Sequence, residues 1–137
     1  MSNWKYRFAN FEKSFKVLTE DIEKFKANQD NQELHDLLRA GLIHVYEHTL
    51  ELAWKLLKDY LEDQGFTDIN SPKKAIRTAF AHDHIKDGES WLVAIDDRNL
   101  VTHDYDENLA QNIVESIVDK YYFLLSDLYD RFRQKNE

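Results

Sequence analysis

A chain of 137 residues is the size of one domain, and folding at that length buries about two-thirds of the unfolded surface, enough for an independent core. A net charge of −8 argues against indiscriminate attraction to nucleic acid or anionic membrane, because that attraction needs lysine and arginine to neutralise phosphates. Zero cysteines exclude disulfides and thiolate metal sites, and three glycines and one proline against 32% charged residues leave few turns, so an all-α fold is expected.

The first thirty residues carry many charges and no continuous apolar run, and nowhere do eighteen apolar residues follow one another. The expectation is one domain over 1–137, without a membrane span, in the cytoplasm.

From Trp4, apolar residues fall at Phe8, Phe11, Phe15, Leu18, Ile22 and Phe25, in steps of four and three. That spacing draws one seam along a helix near 4–27. A second, unusually long helix is expected over 32–63, with Gly65 as its left-handed stop and Phe66 folding back behind it. At about 100° per residue, its apolar face is a broad arc holding Val45, Tyr46, Thr49, Leu50, Leu52, Ala53, Leu56, Leu57 and Tyr60, with Trp54 at the edge. So wide an arc predicts more than one packing neighbour, and a homodimer is expected to supply one of them. The opposite face carries His44, Glu47, His48, Glu51, Lys55, Lys58 and Glu62 and reads as mostly solvated, with Glu51–Lys55 and Lys58–Glu62 as i,i+4 pairs.

"NSPKKAIRTAF" supplies an N-cap serine at Ser71, a proline in the first turn, and a short helix with Ala75, Ile76, Ala79 and Phe80 inward. It also gathers Lys73, Lys74 and Arg77, a candidate local track for RNA. A further segment from about Glu89 contributes Trp91, Leu92 and Ile95. The last helix, near 107–134, starts behind Asp106 as N-cap and runs through Leu109, Ile113, Ile117, Tyr121, Leu124, Leu128 and Phe132. Together these predict an antiparallel up-and-down bundle of four-helix type with additional short helices.

Two histidine patterns invite a metal reading. "HVYEH", residues 44–48, matches H-x-x-E-H, in which two histidines grip zinc and the glutamate serves as base. It lacks a third ligand and sits on the charged face of the second helix, so a solvated face is the better reading. "HDH" at 82–84 reads as a polar connection. No metal is expected.

"RNLVTHDY", residues 98–105, has no packing explanation. Arg98 and His103 stand about 140° apart around a regular helix, so for them to act together the helix must end or distort between them. At such an end an arginine can fork onto a phosphate, a histidine can move protons near neutral pH, and a tyrosine hydroxyl can accept a transferred group. That combination suits phosphodiester chemistry without a metal. The plainer alternative pairs Arg98 with Asp96 or a neighbouring carboxylate, while His103 and Asp106 close one helix and open the next.

The octapeptide fits R-x4-H-x-Y, the motif of the HEPN proteins, and Asn99 fits the polar residue that follows the arginine there. "ELAWKLLKDYLEDQG" at 51–65, "SPKKAIRTAF" at 71–80, "DGESWL" at 87–92 and "DDRNLVTHDYDE" at 96–107 resemble successive segments of one HEPN branch, the HepT-like nucleotidyltransferase substrate-binding proteins. The resemblance covers about 50–137 well and the first helix in its pattern.

Such a resemblance implies a small helical bundle that forms a homodimer and assembles with a minimal nucleotidyltransferase encoded nearby. It implies one of two roles. In the first, the chain is a metal-independent ribonuclease, the toxin of a toxin–antitoxin pair. Arg98 then binds the scissile phosphate, His103 is the general acid or base, Asn99 orients them, and the partner silences the site by transferring AMP to Tyr105. In the second, the chain is a non-catalytic binding subunit of a two-chain nucleotidyltransferase. Neither role gives this chain a cofactor of its own, ATP and magnesium belonging to the partner. The intact motif favours the first and the acidic net charge the second.

Overall fold

The computed structural model describes residues 4–103 and 106–137, with the side chains of residues 101–103 outside the description. Among the described residues the regular structure is helical throughout: α1 (Trp4–Ala27), α2 (Gln32–Asp63), α3 (Pro72–Ala81), α4 (Gly88–His103), α5 (Glu107–Ser116), a π-helical turn (Ile117–Tyr121) and α6 (Tyr122–Lys135). The all-α bundle and all three long helices match the sequence expectation, and none of these helices is long and apolar enough to cross a membrane.

The seam of α1 is buried from Phe8 to Phe25, with Trp4 partly buried at its start. It packs along α2 and against α6, where Phe15 stacks on Tyr122 at 5.4 Å and on Tyr129 at 5.1 Å. Such offset ring pairs add to the burial of the rings themselves. Polar pins fix the register. Ser14 and Thr49 share a 2.6 Å hydrogen bond in the buried interface, and the Arg7 guanidinium reaches the Asp59 carboxylate at 2.9 Å.

Local chemistry sets the helix ends. Asn31 accepts a hydrogen bond from the Leu34 amide and caps α2. At the other end Gly65 adopts φ +100°, and the amides of Gly65 and Phe66 donate to the carbonyls of Glu62 and Leu61. These are the two bonds of a Schellman stop, and a residue without Cβ suits the left-handed position. Ser71 caps α3 through the Lys74 amide, and Asp106 caps α5 through the amides of Asn108 and Leu109.

The broad arc of α2 is used within the chain, since α2 packs against α1, α3, α5 and α6. Val45, Leu52 and Trp54 are its partly buried margin. The width of the arc is thus accounted for without a second protomer.

Two inward placements are corrected. Phe80 is 52% exposed; its ring lies over Gly88, where an added Cβ would come 2.8 Å from the ring, so it covers the start of α4 instead of entering the core. In the last helix Leu125, not Leu124, is the fully buried residue. The π turn explains the shift. Its extra residue lets Ile113, Ile117, Tyr121 and Leu125 all face the core at steps of four, a spacing that would drift around a regular α-helix.

Candidate functional site

Three consecutive residues of α4 reach three different neighbours. Lys73 of α3 binds Asp96 at 2.7 Å. Asp97 accepts a hydrogen bond from the Tyr121 hydroxyl at the end of the π turn. The Arg98 guanidinium meets Glu51 of α2 at 3.0 Å. Successive helical residues point about 100° apart, so the helix is held on several sides at once. One turn earlier Trp91, Ala94 and Ile95 bury its inner face. The Tyr46 hydroxyl donates to the Ala94 carbonyl at 3.1 Å, and its ring stacks on Tyr121 at 5.8 Å.

The electrostatics follow from this packing. Burial pushes the Glu51 carboxyl up, but the Trp54 indole hydrogen bond at 3.0 Å, the charge of Arg98 and the contact with Lys55 outweigh it and hold the group below its ordinary value. Glu51 is therefore a fixed anion behind Arg98, oriented by an indole N–H. Burial, then the bond to Asp97 and its charge, push the Tyr121 hydroxyl well above the ordinary phenol value. Burial does the same to Tyr46, with Tyr121 and Asp97 adding to it. Both phenols stay neutral donors, suited to holding α4 and not to nucleophilic chemistry.

Of the partners that the plainer reading offered, Asp96 or a neighbouring carboxylate, Arg98 takes a neighbouring one, Glu51 of α2, and Asp96 goes to Lys73. Asn99 is exposed on α4. α4 runs unbroken to His103, so the helix end or distortion that the motif's arginine and histidine need in order to act together within one chain is not found between them. No glycine or proline interrupts 89–103, and Leu100 and Val101 continue the turn. The two positions therefore remain about 140° apart around one axis. The His103 side chain and Tyr105 lie outside the described residues.

Lys74 and Arg77 line a groove with Phe66 and His82, whereas Lys73 is bound to Asp96 at 2.7 Å. His44 and His48 are exposed, and no cluster among the described residues has the ligands for a metal ion. The charged face of α2 is less wet than its sequence suggests: Glu51, Lys55 and Lys58 are half-buried, although the pairs Glu51–Lys55 and Lys58–Glu62 form at 3.4 and 3.3 Å. His82 lies against Phe66 and His84 against Tyr60, so the "HDH" stretch packs on aromatics. Sequence reasoning missed Glu51, Asp97, Tyr46 and Tyr121 as supports of α4. Both tyrosines were read as core, which their burial bears out, but nothing local to them marks their hydrogen bonds.

Comparison with known proteins agrees with this architecture. The model of a family described as nucleotidyltransferase substrate binding protein like matches residues 6–134. A protein of Haemophilus influenzae described as a probable ribonuclease HepT is 31% identical over 108 residues, covering 76% of this chain and 73% of its own. A solved Haemophilus influenzae structure, described as revealing the fold of a substrate binding domain of a nucleotidyltransferase, superposes with TM-score 0.77 at 25% identity, covering 93% of this chain and 99% of that one. A crystal structure from Thermus thermophilus superposes with TM-score 0.75 at 29% identity, covering 90% and 98%.

Proposed function

The chain belongs to the family of nucleotidyltransferase substrate-binding, HepT-like proteins, and from that premise we propose that it is a metal-independent endoribonuclease held in check by a nucleotidyltransferase partner. The observation that carries the reading is the seating of Arg98: an arginine fixed by the Glu51 carboxylate at 3.0 Å, on a helix held by Asp96 and Asp97, five residues before His103. In this role the guanidinium would bind the scissile phosphate and stabilise the charge that develops on it. His103 would take the proton from the 2′-hydroxyl or return one to the leaving 5′-oxygen, and Asn99 would orient the pair.

In one α4 the arginine and histidine positions lie about 140° apart, so a cleft that brings both to bear on one phosphate draws them from two copies of the chain. The proposed assembly is a homodimer. Val93 and Leu100, 41% and 51% exposed and seven residues apart on α4, support it by offering apolar surface on the motif helix. In this reading the partner transfers AMP to Tyr105 and so blocks the cleft, making the two chains toxin and antitoxin. The relative described as a probable ribonuclease favours this reading.

The test is cleavage of single-stranded RNA by the isolated protein in the presence of a chelator. Activity is expected, and Arg98→Ala and His103→Ala should each abolish it while leaving the helical circular dichroism intact, because the two groups act as a unit. Wild-type protein inert on RNA yet still binding a nucleotidyltransferase would instead support a non-catalytic binding subunit, the role that the solved relative's description favours.

A further inference from the structure

The chain is acidic overall, with a net charge of −8, yet one groove on its surface is lined by cations and by no carboxylate. It lies between the segment that leaves α2 and α3, has a volume of about 340 Å³, and its lining includes Phe66, Thr67, Lys74, Arg77, Thr78 and His82. Lys74 and Arg77, one helical turn apart, are both exposed, and among the described residues neither makes an ion pair. Lys73 behaves differently, being bound to Asp96 at 2.7 Å. At the end of α3 the exposed His82 ring sits 4.5 Å from the partly buried Phe66 ring.

We infer that this groove binds the backbone and one base of a single-stranded RNA, an inference that rests on the ribonuclease reading above and specifies how its substrate is held away from the reacting phosphate. Lys74 and Arg77 contact successive phosphates, and a base stacks on the His82 ring, which the tilted Phe66 ring braces at one side. Two cations spaced along a strand beside a ring platform is the arrangement that holds single strands without reading their sequence. Thr67 and Thr78 supply hydroxyls for the sugar–phosphate edge. The occupant is nucleic acid and not an acidic protein segment because the exposed His82 imidazole beside the two cations offers a stacking face, which a carboxylate side chain does not use.

Both features were set by local structure. Gly65 turns the chain at φ +100° and brings Phe66 back over the helix end. A second left-handed residue, Asp83 at φ 65°, closes α3 just beyond His82, with the amides of Asp83 and His84 donating to the carbonyls of Phe80 and Ala79. The ring pair thus joins two helix stops, and α3 carries the cations between them.

The experiment measures fluorescence anisotropy of a labelled 2′-O-methyl oligonucleotide, which lacks the 2′-hydroxyl that cleavage consumes, against wild type, Lys74→Gln/Arg77→Gln, His82→Ala and, as a surface control, Lys26→Gln. Salt dependence is recorded for each, and circular dichroism checks that each variant is folded. Losing two phosphate contacts should reduce the slope of log affinity against log salt by about 1.4. His82→Ala should weaken binding about five-fold or more with the slope unchanged, and Lys26→Gln should match wild type. Unchanged affinity and slope in both groove variants, with wild type still binding the oligonucleotide and cleaving RNA, overturns the groove and leaves the ribonuclease reading standing. Absence of any binding or cleavage by wild type overturns both.

Discussion

The Arg98 guanidinium and the Glu51 carboxylate meet at 3.0 Å across the α4–α2 interface, with side chains 26% and 29% exposed. A contact this sheltered fixes the direction of the arginine fork and not merely its charge. Glu51→Gln keeps the shape but removes the anion, so the fork should lose its orientation while the fold persists. We expect the single-turnover rate of RNA cleavage to fall on the order of ten-fold, and Glu51→Gln combined with Arg98→Ala to be no slower than Arg98→Ala alone. Additive losses in the double variant would show that Glu51 acts by another route.

The same pair gives a pH dependence of stability. The Glu51 carboxyl is held below its ordinary value in the fold, so the unfolded chain takes up the proton first as pH falls. Its stabilisation is complete above about pH 4.3, the unfolded value, and is lost as pH falls through the lowered folded value. Thermal melts of wild type and Glu51→Gln should therefore differ at neutral pH and converge in acid. A difference that grows in acid would reverse the sign assigned here.

His84 supplies the opposite kind of linkage. Burial, followed by the charge of Lys135, holds its imidazole below the ordinary histidine value, against the Tyr60 ring at 5.1 Å. The unfolded chain again binds the proton first, so stability falls as pH drops through about 6.5 and levels off once the folded imidazole is protonated. In His84→Gln the melting temperature should be lower at neutral pH but change less between about pH 7.5 and 5.5. An identical pH dependence in variant and wild type would remove His84 as its source.

The π turn between α5 and α6 predicts an asymmetry in deletions. A π turn holds one residue more than an α-helix needs, so removing exposed Asp119 should restore a regular helix and leave both flanking seams in register. Deleting Lys58 from uninterrupted α2 instead rotates half of that helix by about 100° and swings Tyr60 and Leu61 out of the core. The expected melts are a change of a few degrees for the first deletion and loss of cooperative unfolding for the second.

What could be read from the sequence was what local chemistry decides. Ser71, Asp106 and Gly65 end helices through bonds to residues no more than four positions away, and the α1 seam is buried because one helix face must be. Phe80 failed because its neighbour, Gly88, starts another element, and Leu124 because the seam was extrapolated through a π turn that no residue type announces. The motif itself was visible as a stretch without a packing role. Its supports were not, because Glu51, Tyr46 and Tyr121 reach α4 from distant parts of the chain and each already had an ordinary explanation where it stood.

The last prediction concerns Tyr105, which lies outside the described residues, between the end of α4 at His103 and the Asp106 cap of α5. A phenol has an ordinary pKa of about 10 and is mostly protonated at neutral pH, so accepting AMP requires a base to take its proton as the oxygen attacks the α-phosphate of ATP and pyrophosphate leaves. The two tyrosines next to the motif helix cannot substitute for it: burial and Asp97 push the Tyr121 hydroxyl up, and Tyr46 is buried with its proton committed to the Ala94 carbonyl. Incubation with the cognate nucleotidyltransferase, ATP and magnesium should therefore add the mass of one AMP to this chain, at Tyr105 and not at Tyr46 or Tyr121, and abolish RNA cleavage in proportion to the label. Tyr105→Phe should take up no label and stay active in the partner's presence. Label on another residue, or undiminished labelling of the phenylalanine variant, would exclude Tyr105 as the acceptor and with it the covalent form of silencing proposed for this pair.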